Sequence, residues 1–201
     1  MYGYDKKFGY LVDTGQQGGK VKTSLESLEL ARNEKGPMSS RNRSYVISKK
    51  NGGYNLEISV KNAIYNNALD FLNPPIKNIG YKGILKASVE IEKWFKNSKD
   101  IKGDFQTSAM LMEKAGTGGA LFRNLYRDFL KESSDLLNSK EIEEAYLEFT
   151  ESANLWKRVS ELFYEAGETR DIFYINQASK ILIDLSKREK HTMEKLLKAC
   201  T

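Results

Sequence analysis

A nucleophile with a neighbouring base is the commonest device for covalent catalysis, and this chain has one residue of each obvious kind, Cys200 and His191. They stand nine positions apart on one predicted helix. At roughly 100° and 1.5 Å per residue they face opposite ways, about 13 Å apart, so they cannot act on one another within one chain. A zinc site needs three or four His, Cys or carboxylate ligands, and only carboxylates are plentiful here. No metal site and no cofactor is therefore expected.

Another kind of chemistry is suggested by Gly116-Thr117-Gly118-Gly119, which runs directly into Ala120-Leu121-Phe122-Arg123-Asn124-Leu125-Tyr126-Arg127. Gly118 and Gly119 let the backbone approach a ligand closely, and Thr117 is placed to cap the helix that follows, whose first amides point outward as anion donors. No strand precedes the loop and no lysine ends it, so it is not a nucleotide phosphate loop; a tight helix-to-helix turn uses the same glycines. Arg123, Arg127 and Lys131 follow at i, i+4 and i+8, one basic row beside an apolar stripe. Such a row is either a solvated face or a seat for a carboxylate or other anion. Glu189 is the complement: the spacing from Leu182, Leu185 and Leu196 predicts an apolar residue there, and a buried carboxylate requires a partner. Pairing of Glu189 with Arg123 or Arg127 inside a bundle is expected, and Gly118, Gly119, Arg123, Arg127 and Glu189 are the candidate ligand-binding residues.

The elements that must position these residues divide in two. Residues 1–53 carry the strand signals: Tyr2 to Tyr4 and Phe8 to Thr14 around the Asp5-Lys6-Lys7 turn form a hairpin pattern, with Asp13 at the end of the second strand. Val21 to Thr23 resumes a short strand, Ser24 caps a helix ended by Gly36-Pro37, and Tyr45 to Ser48 reads as a further strand. Residues 54–201 have helical periodicity. The spacing predicts helices over about 57–72, stopped before Pro74-Pro75, over 81–96, over 104–115, and along Leu121 to Leu130. Two longer ones cover 141–166, with Gly167 as its C-terminal cap, and 171–199. The expected fold class is α+β, mostly α: a helical bundle after a small strand-rich piece.

Composition narrows the partners. With 40% hydrophobic and 29% charged residues the chain is globular, and no run of about 18 apolar residues exists to cross a membrane. Its N-terminus lacks a signal-peptide core, so a cytoplasmic location is expected, in keeping with the lone cysteine. The net charge of +5 is concentrated at the front, where residues 1–53 hold ten basic and five acidic side chains, while residues 101–201 hold 15 and 17. No nucleic-acid-binding module accompanies it; a mildly basic lobe suits an acidic protein partner.

Gly3-Tyr4-Asp5, Tyr10-Leu11-Val12-Asp13, Ser24-Leu25-Glu26-Ser27-Leu28 and Lys35-Gly36-Pro37 resemble the closing part of the N-terminal, papain-like domain of the butirosin biosynthesis protein H family. The stretch Gly118 to Leu130 and the later Trp156 are similar to the helical domain of uncharacterised function that follows it in that family. The resemblance implies an acyltransferase in which a cysteine takes an acyl group from a carrier-protein thioester and passes it to an amine, with an acyl carrier protein as partner. Of the catalytic positions, only the acid that orients the histidine has a counterpart, Asp13; the family's cysteine and histidine positions would fall before Met1. As it stands the chain would be inactive. Two readings stay open: the C-terminal part of such an enzyme, or a non-catalytic helical protein that binds a partner or an anionic ligand. A homodimer is expected, because the strand-rich piece has too little core to cover itself.

Overall fold

The computed structural model describes residues 1–13, 18–36, 39–48, 52–114 and 119–201. Among them are three short strands and seven helices, so the protein is mostly helical with a small antiparallel sheet. It separates into two compact units, Met1–Gly52 and Gly53–Thr201.

The first unit begins with a hairpin. Strand β1 (Gly3–Tyr4) pairs with β2 (Phe8–Val12), and β2 pairs with β3 (Lys20–Ser24) in the register Phe8 to Ser24 and Val12 to Lys20. Asp5 makes the first turn: its Oδ1 accepts from the Lys7 and Phe8 amides at 2.7 and 2.8 Å, and its Oδ2 accepts from the Tyr10 hydroxyl at 2.7 Å. Those amide donors, with the Tyr10 hydroxyl, hold the Asp5 carboxyl below the ordinary range. Helix α1 (Leu25–Asn33) is capped by Ser24, whose Oγ accepts from the Ser27 amide at 3.0 Å. It ends at Asn33, three residues before Gly36. Tyr45–Ser48 is not a strand: the segment is irregular, and Tyr45, Val46 and Ile47 are almost fully exposed. β-Favouring side chains alone do not make a strand when no neighbouring strand supplies the ladder. Gly9 is the one buried residue among those described in this unit.

The second unit holds helices α2 (Leu56–Leu72), α3 (Gly80–Asn97), α4 (Ile101–Lys114), α5 (Ala120–Leu137), α6 (Lys140–Thr169) and α7 (Ile172–Ala199). Helix α2 stops before Pro74-Pro75, as the residue before proline is driven out of the helical region. Between α5 and α6, Asn138 takes a left-handed conformation and Ser139 caps the next helix, accepting from the Ile142 amide. Gly167 is not the C-cap of α6; it lies inside the helix, and Arg170 takes the left-handed cap position with φ 56°. Gly167 instead permits close packing on α4, since a Cβ there would sit 3.0 Å from Gln106 Cγ and 3.2 Å from the Lys102 carbonyl oxygen.

The long antiparallel pair α6 and α7 is the spine; α4 and α5 pack on α6, and α2 and α3 on α7. Small serines hold the layers together. Ser160 Oγ donates to the Ala109 carbonyl on α4 at 3.0 Å, and Ser179 and Ser186 Oγ donate to the Ser88 and Tyr81 carbonyls on α3 at 2.7 and 2.8 Å. Two hydrophobic clusters result. One gathers around Phe95, Phe105, Phe163, Ile175, Leu182 and Leu185; the other around Ile64, Leu130, Ile142, Phe149, Met193 and Leu196.

Candidate functional site

The seam between those two clusters is polar. Along α6 the inward positions run from Phe149 through Ser152 to Trp156, and along α7 from Leu185 through Glu189 to Met193. Glu189 therefore occupies an apolar register and is buried to 2% exposure. A carboxylate in that position is tolerated only if it is hydrogen-bonded, and both of its oxygens are. Oε1 accepts from Arg123 Nε at 3.0 Å, from Trp156 Nε1 at 2.7 Å and from Ser152 Oγ at 2.5 Å, while Oε2 accepts from Arg123 Nη2 at 2.9 Å. The expected pairing thus falls on Arg123. Its guanidinium also lies over the Trp156 ring, 4.6 Å from the centroid, so the arginine is fixed by a two-point ion pair on one side and an aromatic face on another.

The rest of the basic row is engaged locally. Arg127 donates to Asp128 at 2.8 Å and to Asn124 at 2.7 Å, and Lys131 donates to Asp135 at 2.7 Å. Neither meets Glu189. Gly118 lies outside the described residues, as do Gly116 and Thr117. Gly119 is the N-cap of α5, with φ 77° and ψ −160°, a region open in practice to glycine alone. A Cβ there would also stand 2.7 Å from the Met112 carbonyl oxygen. Gly119 therefore sets the angle at which α5 enters, and with it the place of Arg123.

Beside the ion pair is an open cavity of about 200 Å³. Phe71 of α2, Phe122 and Tyr126 of α5, Phe149 of α6 and Met193 of α7 wall it, and Arg123 and Glu189 lie on its polar side. Four helices are needed to make it, so sequence spacing alone did not disclose Phe71, Phe149 or Met193 as lining residues. Phe122 and Leu125 fall on the apolar stripe of α5 yet stay more than half exposed, with Phe122 at the cavity. Burial pushes the Tyr126 hydroxyl far above its ordinary range, so it is a neutral group in this wall.

The remaining candidates are elsewhere. Asp13 follows β2 in the first unit, its amide donating to the Gly19 carbonyl at 2.7 Å. His191 is exposed on α7, and Cys200 is the half-buried C-cap residue of the same helix, its thiol pushed up by burial. Among the described residues no group of three or more His, Cys, Asp or Glu side chains is arranged to hold a metal ion, and no helix is long and apolar enough to cross a membrane.

Residues 26–196 match the model of a family described as a domain of unknown function (DUF4872). The chain belongs to that family. The match begins inside α1, after the three strands, and covers every element from α2 to most of α7. No curated protein and no solved structure matches the chain.

Proposed function

We propose that the helical unit is a non-catalytic ligand-binding domain, and that its ligand places a small apolar group in the cavity beside Arg123 and Glu189. The observation that carries this reading is the combination of an apolar wall from four helices with an arginine already held in place. A dry apolar cavity of about 150 Å³ is large enough for benzene, so one of about 200 Å³ suits a single ring or a short hydrocarbon chain. Fixed polar groups at one side orient such a ligand with little loss of side-chain freedom on binding. Calorimetric titration with hexanoic acid derivatives and with small aromatic compounds tests it: saturable binding that Phe149→Trp abolishes by filling the cavity is expected, and no binding by any of them contradicts it.

A second reading is supported by the first unit. Its sheet presents β1 and β3 with one partner strand each among the described residues, and Tyr2, Tyr4 and Val12 are largely exposed. A sheet of this kind is more at home as the margin of a larger lobe, and the family match starts only after it. This fits the C-terminal part of a cysteine-dependent acyltransferase resembling the butirosin biosynthesis protein H family, cytoplasmic and homodimeric, with Asp13 as the acid of its papain-like lobe and an acyl carrier protein as partner. The reading frame upstream of Met1 decides the matter: codons for a histidine close before Gly3 and a cysteine further back are expected, and an in-frame stop contradicts it.

A further inference from the structure

Resting on the reading of this cavity as a ligand site, we infer that it selects a neutral carbonyl compound over a carboxylate, and that Glu189 sets the preference. A free arginine at the edge of an apolar cavity would favour an anion. Here Glu189 engages Nε and Nη2 of Arg123 at 3.0 and 2.9 Å, so the charge is already matched. A guanidinium has five N–H donors, and the remaining three have no partner among the described residues. They keep their hydrogen-bonding capacity after the net charge is gone.

An incoming carboxylate would lose its hydration in a cavity walled by Phe71, Phe122, Tyr126, Phe149 and Met193, and would come to rest close to a second carboxylate that is itself buried. Desolvation and like-charge repulsion both oppose it. A neutral carbonyl oxygen avoids the repulsion and needs only a donor, which Arg123 presents in fixed orientation. Ser152 and Trp156 reinforce the effect, because both donate to Glu189 Oε1 and hold the side chain in place beside Arg123. The ligand class that fits is an apolar body of about six carbons ending in an amide or ester carbonyl.

The test compares hexanamide, methyl hexanoate and sodium hexanoate on the full chain at neutral pH, where hexanoate is ionised. Both neutral compounds are expected to bind at least about tenfold more tightly than hexanoate, the ratio that a modest electrostatic difference produces. In Glu189→Gln, which removes the balancing charge and leaves the side-chain shape, hexanoate is expected to become the tightest of the three. Wild-type protein that binds hexanoate as tightly as hexanamide overturns the selectivity while leaving the cavity as a ligand site, and so does an unchanged order in folded Glu189→Gln. Should that variant not fold, the wild-type ratios for the two neutral compounds decide the question. Binding of none of the three removes the ligand site itself.

Discussion

Glu189 has two opposite consequences for the molecule, and they separate on mutation. Removing two charges from water is expensive, and their attraction repays it only with good geometry and further hydrogen bonds; here Ser152 and Trp156 add two donors to Glu189 beside the two from Arg123. Loss of one partner leaves the other buried and unpaired. Glu189→Ala and Arg123→Ala are each expected to lower stability by about 3–5 kcal/mol, whereas Arg123→Met with Glu189→Met costs much less than the sum of the single changes. Urea unfolding of the three variants measures this; additive losses would mean that the two side chains do not act as a pair. The seat of this pair was legible in the sequence because a carboxylate interrupts the Leu182, Leu185, Leu196 series. Which arginine meets it was not, since Arg123 and Arg127 lie one helical turn apart and the choice depends on how α5 sits on α6 and α7.

Elements are positioned here by a few end residues. Gly119→Ala would place a Cβ at 2.7 Å from the Met112 carbonyl oxygen and force alanine into a backbone region it avoids, a cost of about 1–3 kcal/mol for the conformation alone. The variant is expected to melt earlier and to displace the Arg123 side-chain signals in NMR spectra; unchanged stability would show that α5 can start elsewhere. The first turn of the sheet gives a pH-dependent counterpart. Donors from Lys7, Tyr10 and Phe8 lower the Asp5 pKa in the folded hairpin. The stabilisation is therefore complete above the unfolded value of about 3.9 and is lost as pH falls through the lower folded value. Asp5→Asn keeps the turn acceptor but removes the charge, so its hairpin signals are expected to change less between neutral and acidic pH than those of wild type; identical acid profiles would contradict this. Helix ends were only partly legible. The proline pair after α2 stops the helix by a steric rule that any sequence reveals, whereas Gly167 has the residue type of a cap but the left-handed position falls on Arg170. Close packing against Gln106 and Lys102 accounts for the glycine instead, and that contact spans more than sixty residues of chain.

At the scale of the whole molecule the two units differ in what holds them. Residues 53–201 carry both hydrophobic clusters, while the first unit relies on a three-strand ladder and one short helix with scarcely a buried side chain. Residues 53–201 produced alone are accordingly expected to unfold cooperatively within about 5 °C of the full chain, as a unit that loses none of its buried core would. A molten, non-cooperative fragment would show that the first unit contributes to the helical core. Periodicity made the helices of residues 53–201 readable because each buries residues on one side; Tyr45–Ser48 is not a strand despite its β-favouring residues because strand formation depends on a neighbour that sequence-local signals do not specify. The cavity was hidden for a related reason, as its wall draws single residues from four helices.

A small apolar ligand that enters the cavity next to the Arg123–Glu189 pair is reported directly by the indole N–H of Trp156. The chain has two tryptophans; Trp156 donates to Glu189, and Trp94 stacks on Phe105 and does not line the cavity. In a hexanamide titration followed by NMR, the Trp156 indole signal is expected to shift saturably while that of Trp94 stays in place. A Trp156 signal that does not move, or two indole signals that drift together without saturation, would show that no ligand enters this cavity.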